Sequence, residues 1–380
     1  MTFTAIHRSE LVRAGLQTQS RRCRSKRVDS SRSVAQRQSM IGSPETLGEA
    51  SFRSVVVART AVVLRCTDDH PRGNREPGAR LDERGWRFRR PQPVGRRVVR
   101  LFETIVWHCV VMDSRRLAVG CEFTYESAVA TLAVFQVQPG VSPMVFRRSE
   151  SWVSTPDLTL RSYSDLYGNP CVRVVLPVGW SSLRYEAEVE VVDAVEDADE
   201  SAGEVAAEML PDDTLIYTLP SRYCLPDVLA DEAWKLFGSH APGYQRVQAI
   251  CDHVHAHLTF RYGSSTSMST AADVNTTRLG VCRDFTHLAI SLCRSFNIPA
   301  RYVFGYLPDM DVPFDPAPMD FAAWMEVWLA DRWWTFDPRN NMARKGRVVI
   351  GRGRDASDVA MVTSFGGPTL QTMLVVAEEV

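Results

Sequence analysis

Cys282 stands directly ahead of a strongly periodic stretch. Phe285, Leu288, Ala289, Leu292 and Phe296 follow at helical spacing, and Gly280 just before it permits a tight loop. A thiol at a helix N-terminus meets the partial positive charge of unpaired backbone N–H groups, which stabilises the thiolate and lowers its pKa. The same N–H groups can receive a developing oxyanion. Loop, cysteine, helix is therefore one way to present a nucleophile. On setting alone, a buried structural cysteine competes with that reading. The other eight cysteines (23, 66, 109, 121, 171, 224, 251 and 293) lack this setting.

A nucleophilic thiol needs a base, and the base an acid to orient it. The stretch "MDFAAWMEVWLADRWWTFDPRN" (319–340) reads as two short strands with Asp337 at the end of the second. No histidine heads the first strand, which opens with Phe321, Ala322 and Ala323. Elsewhere the candidates are weak. His287 lies five residues after Cys282, roughly 140° round a helix, and is expected to face away from the thiol. In "CDHVHAHL" only His253 and His257 share a helical face. The glutamate of an HExxH site and a third ligand are both missing, so His253, His255 and His257 are expected on a solvated edge and no metal is expected. Asp284 is expected to be a first-turn helix acid. "VVIGRGRDAS" imitates a dinucleotide fingerprint but has no βαβ unit around it, so a turn is expected and no cofactor. By strand parity Trp324, Glu326 and Trp328 share the face of Ala322, while Trp333 and Trp334 point opposite ways. The tryptophans are expected mostly in the core, with Trp324 and Trp334 as candidate cleft walls. Glu326 is either solvated or a cleft carboxylate.

The elements that must position these residues change in texture along the chain. Residues 1–111 carry 22 Lys and Arg against 10 Asp and Glu; the remainder carries 22 against 35. The first part shows no sustained period, apart from "SVVVARTAVVL". It is expected to be disordered, or not native protein if translation starts at Met112; a transit peptide or a nucleic-acid-binding arm fits less well. The absence of interleaved aromatics argues against nucleic acid. Residues 112–193 contain short alternating runs between Gly, Pro, Asn and Ser turns. In "RYEAEVEVVD", Tyr185, Ala187, Val189 and Val191 fall on one face and Glu186, Glu188 and Glu190 on the other. A small all-β sandwich is expected there, then an acidic linker at 194–204. From 205 to 380 the spacing is helical in "PDVLADEAWKLFG" and in "GYQRVQAICDHVHAHL" (stripe Val247, Ile250, Cys251, Val254, Leu258). After the Cys282 helix, which should run to "NIP", come alternating runs, so this region is α+β. No CxxC pair, no secretory signal and no membrane-length apolar run are evident. Reduced thiols and a cytoplasmic setting follow, with no membrane partner.

"GVCRDFTHLAISLCRSFNIPARYVFGYL", "MDFAAWMEVWLADRWWTFDPRNN" and "IGRGRDASDVAMVTSFG" together resemble the bacterial transglutaminase-like superfamily, over roughly 112–380. The resemblance implies a papain-like Cys–His–Asp core of helices on an antiparallel sheet, often behind a β-rich domain. It implies Cys282 as nucleophile, through the "G-x-C-x-D" match, and Asp337 as the orienting acid, through "W-x-x-F-D". It implies a cysteine hydrolase or acyltransferase acting on peptide or protein amides through a thioester. The family histidine belongs in a "D-F-H-A-W" pattern, where this chain has Ala322. Impaired activity, or a catalytically inactive binding or scaffold module, is the expected consequence.

Overall fold

A computed structural model describes residues 54–57, 109–142, 144–313 and 315–380. Strands β1 (Ser54–Val57) and β2 (Cys109–Met112) pair with each other as a two-stranded sheet. The rest of the Arg-rich segment up to 111, with the expectations attached to it, lies outside the described residues.

Residues 113–380 form one compact unit. Its β layers begin with β3 (Ser114–Ser127), β4 (Thr131–Phe135), β5 (Val145–Thr155), β6 (Arg161–Ser164), β7 (Pro170–Leu176) and β8 (Gly179–Val192). β3 and β8 pair in unbroken antiparallel register from Ser114↔Val192 to Ser127↔Gly179. Alternation sets the faces: Tyr185, Ala187, Val189 and Val191 are buried against Leu117, Val119, Phe123 and Tyr125. Glu190 departs from the expected polar face. It is buried, bonded by Ser114 and by Arg148.

Helices α1 (Pro226–Phe237), α2 (Tyr244–His257), α3 (Ala271–Thr277) and α4 (Cys282–Arg294) follow, with the short parallel pair β9 (Thr259–Phe260) and β10 (Leu279–Gly280) between them. α3 is too short to show a period, and the Thr270–Asp273 capping box that starts it passed unread in the sequence. The α2 stripe is buried throughout. α4 is enclosed on all sides from Asp284 to Arg294, packed on the sheet and against α1, α2 and α3. It stops at Arg294, earlier than "NIP" suggests, because Asn297 adopts φ 60° and the Ile298 N–H turns back to the Cys293 carbonyl.

The central sheet has strand order β13-β12-β11-β14, all antiparallel, from β11 (Ala300–Tyr306), β12 (Ala322–Leu329), β13 (Arg332–Phe336) and β14 (Val348–Gly353). After β14 comes a turn in which the Asp355 carboxylate accepts from Ser357, with no helix to make a phosphate cradle. The chain then returns to the β layers. β15 (Val362–Ser364) joins β4, giving β15-β4-β7-β6, and β16 (Thr369–Glu379) joins β3, giving β16-β3-β8-β5. The stretch at 194–204 therefore separates the chain but not the layers: the last two strands of 205–380 complete the sheets begun before it.

Arg294, at the buried end of α4, ties that helix to β11, to the turn after β14 and to the segment ahead of α1. Its guanidinium donates to the carbonyls of Ala300 (2.8 Å), Leu219 (3.0 Å) and Arg354 (2.7 Å). Arg294→Met removes these donors and strands buried carbonyls, so urea unfolding should show a loss of roughly 3 kcal/mol; an unchanged midpoint would contradict this role.

Candidate active site

α4 begins at Cys282 because Asp284 reaches back over its head. The Asp284 carboxylate accepts from the Val281 N–H (2.8 Å) and from Ser265 Oγ (2.5 Å). Gly280 is needed here for space: a Cβ on it would sit 2.8 Å from the Asp284 Cβ. Asp284 is thus a buried cap, as its place in the first turn suggests, and burial pushes its carboxyl up.

The thiol lies at the end of the central sheet. Cys282 Sγ is 3.9 Å from the carbonyl oxygen of Phe321, so the Ala322 Cα lies within roughly 7 Å of the sulfur. Cys282 and Ala322 line one cavity of about 110 Å³, walled also by Tyr223, Tyr302, Arg283 and Asp320. Of Cys121, Cys171, Cys224, Cys251, Cys282 and Cys293, none in a disulfide, Cys282 alone is not buried. The expected depression of its pKa does not follow. Enclosure by apolar walls pushes the thiol up to about 11, and the guanidiniums of Arg339 and Arg283 pull it down only in part.

Asp337 follows β13 directly, and the Met325↔Phe336 pairing carries it alongside Trp324 on the neighbouring strand. Both oxygens are engaged. Oδ1 accepts from the N–H groups of Arg339 (3.1 Å) and Asn340 (3.0 Å); Oδ2 accepts from Asn340 Nδ2 (2.8 Å) and Arg347 Nη2 (2.9 Å). Burial alone would raise this carboxyl, but the Arg347 charge and the Asn340 bonds hold it below the usual range. Arg347 also stacks over Trp324, 4.8 Å from the ring centroid. Nothing in the sequence pattern singles out Arg347 as the partner of this acid.

The proposed cleft walls lie elsewhere. Ala322, the strand's first residue, lines the cavity. Two residues on, Trp324 is enclosed by Val303, Leu307 and Val349. Glu326 is neither solvated nor in the cleft: it is buried between Arg301 and Arg352, which hold its carboxyl low despite burial. Trp334 is core, its Nε1 donating to the Leu329 carbonyl and its ring under Arg332. Trp328 and Trp333 pack edge to face, and Arg301 covers Trp333.

Among the described residues no histidine lines the cavity at Cys282. His287 is sealed between Tyr223 and Tyr302, its Nε2 accepting from the Ala356 N–H, and burial lowers its pKa to about 3. His253 and His257 stack on each other, and His257 contacts the Asn275 carbonyl. His255 contacts the Arg339 carbonyl (2.7 Å) and so steadies the loop that carries Arg339. No group of three or more His, Cys, Asp or Glu able to hold a metal exists among the described residues.

Asp320 is the residue that sequence reasoning passed over. Its Oδ1 accepts from the Phe321 N–H (2.7 Å), and it lines the cavity beside Cys282. Burial pushes its carboxyl up to about 6, against the pull of Arg339 and Arg283. The only signal was its position in "MDFAAW". Because the folded pKa is raised, its stabilising contribution is complete below about pH 4 and is lost as pH rises through about 6. Asp320→Asn should therefore gain stability relative to the parent chain between pH 4.5 and 7.5, by at most about 2 kcal/mol. Denaturant unfolding at the two pH values reads this, and a difference independent of pH refutes it.

Four similarities bear on this arrangement. A family model described as "Transglutaminase-like superfamily" matches residues 233–338. A crystal structure of "a Putative Cysteine Protease" from Cytophaga hutchinsonii is 32% identical with a TM-score of 0.64, covering 70% of this chain and 91% of that one. An uncharacterized protein of Mycobacterium tuberculosis is 32% identical over 149 residues, 36% of this chain and 46% of its own length. One from Mycobacterium leprae is 40% identical over 84 residues, 21% and 30% respectively. The match thus spans under half the length of each mycobacterial relative.

Proposed function

Since this chain belongs to the transglutaminase-like superfamily, with its fold of helices on antiparallel sheet, we propose that it is a cysteine hydrolase or acyltransferase acting on peptide or protein amides, impaired by Ala322. One observation carries the reading: the partly open Cys282, at a helix head, shares a cavity with the position where the family pattern has its histidine.

In the proposed reaction the sulfur loses its proton and attacks the amide carbonyl. The oxygen takes up the electron pair facing the Cys282 N–H, which at the first helical position has no acceptor in its own helix. The tetrahedral adduct then collapses, the C–N bond breaks, and the amine leaves with a proton. Water, or a second amine, releases the acyl group from the thioester. An imidazole at position 322 would take the thiol proton and hand it to the amine; Ala322 leaves both transfers to solvent. With the thiol near 11, little thiolate exists at neutral pH.

A second reading, a catalytically inactive binding or scaffold member, is favoured by a specific feature. A carboxylate offers about four acceptor positions, and all of those on Asp337 are taken by Arg339, Asn340 and Arg347. The acid that would orient an imidazole has a structural role instead.

We propose a reducing compartment, the cytoplasm, on the unbridged thiols of the six cysteines from Cys121 to Cys293, and no membrane or nucleic-acid partner. No helix among the described residues is long and apolar enough to cross a membrane.

Restoring the base separates the two readings. Ala322→His should raise iodoacetamide labelling of Cys282 at pH 7.5, and hydrolysis of acyl p-nitroanilides, by about a hundredfold or more. Added imidazole should reproduce part of the gain in the parent chain. If neither imidazole source changes labelling or hydrolysis, the inactive reading stands.

A further inference from the structure

The cavity at Cys282 is not built by the catalytic layer alone. Its lining also includes Tyr125 from β3, Val362 from β15 and Leu370 from β16, together with Phe304, Phe321 and Val359. Three strands of the β layers thus close a space that begins at the sulfur. The charged groups lining it stay at the thiol end: Arg283 adjoins Cys282 in the chain, and Asp320 adjoins the residue whose carbonyl touches the sulfur. The remaining lining is mostly apolar, interrupted by Ser267 and the tyrosines Tyr125, Tyr223 and Tyr302, and about 110 Å³ has room for a branched aliphatic or an aromatic side chain.

A second cavity adjoins the first and shares only Asp320 and Ala322 with it. It carries Asp309, Asp315 and Arg339 but not Cys282. This division orients a substrate. The acyl group becomes bonded to the sulfur and must occupy the cavity that contains it. The amine must depart past position 322, where the family pattern supplies its proton donor, and so towards the second cavity.

We propose that the β layers supply the specificity pocket for the acyl residue, and that the group accepted by Cys282 carries an apolar side chain, not the amide of glutamine or a carboxylate. This rests on the thioester reading above but makes a separate claim. Among the lining residues no charged group comes from the β layers and Tyr125 offers a single hydroxyl, too little to satisfy a buried amide or carboxylate in full, so a polar acyl side chain would be desolvated without full compensation. An apolar one loses nothing on entry and gains by its burial.

The test uses acyl-residue mimics that react with thiols without needing a base for turnover. In each, the sulfur displaces chloride from the chloromethyl carbon, forming S–C and releasing Cl⁻ and the thiol proton. N-acetyl-leucine and N-acetyl-phenylalanine chloromethyl ketones should label Cys282 about tenfold faster, or more, than the glutamine analogue, each rate divided by that of iodoacetamide in the same protein. Leu370→Trp fills the pocket from a partly exposed position, and Val362→Thr is a near-isosteric polar change. Both should shrink the preference severalfold. Equal normalised rates, a preference for the glutamine reagent, or a preference untouched by both variants overturns the proposal. Binding of N-acetyl-phenylalanine amide and N-acetyl-glutamine amide to the Cys282→Ala protein, followed by NMR titration, reads the same preference without thiol chemistry. The pocket assignment then stands or falls even if Cys282 proves unreactive, and failure of the Ala322→His experiment with the apolar preference intact would count against the thioester reading alone.

Discussion

The Asp284 carboxylate, folded back onto the Val281 N–H and Ser265, is the constraint from which the site follows. It fixes where α4 begins, and the first helical residue is the cysteine. Because α4 is buried along almost its whole length, its head cannot shift without moving the three helices and the sheet packed round it. A residue expected to be no more than a first-turn helix acid is the reason the thiol has a fixed address. Gly280 belongs to the same arrangement, since any side chain there would meet this carboxylate.

Charge is handled on the same principle. Glu326 lies between two arginines, and Asp337 is held by Arg347 and by its own following loop. Breaking a buried pair from one side typically costs about 3–5 kcal/mol. Ala322 breaks no such pair, because Asp337 does not depend on an imidazole for compensation. The fold therefore keeps Asp337, Cys282 and its stability with an alanine at position 322. Stability at this site does not require an imidazole, which is how Ala322 can sit in otherwise ordinary surroundings.

What could be read from the sequence was what local pattern encodes. The α2 and α4 stripes, the alternation of β8, and the loop–cysteine–helix order are short-range signals, and each has its counterpart in the structure. What could not be read depended on partners distant in the chain. Parity put Trp324 and Glu326 on one face with Ala322, but only the other strands decide that this face is closed by Val303, Leu307 and Val349 and neutralised by Arg301 and Arg352. The helix-head argument for a lowered thiol pKa was sound as far as it went; enclosure by distant apolar residues outweighs it. Likewise the alternation in "RYEAEVEVVD" could not show that Glu190 meets Arg148.

The return of β16 to β3 has a consequence for how the molecule comes into being. Glu379 pairs with Leu117 and Thr369 with Glu126, so one sheet joins the beginning and the end of the compact unit. Contacts so far apart in sequence form late, because the entropy of closing the long intervening chain is lost before the pairing repays it. During synthesis the helices and the cysteine emerge well before β15 and β16. A nascent chain would therefore carry its thiol beside an unfinished wall, and the enclosure around Cys282 becomes a property of the completed polypeptide. Maturation of the site is in this sense timed by topology, with the final strand acting as the closing stitch.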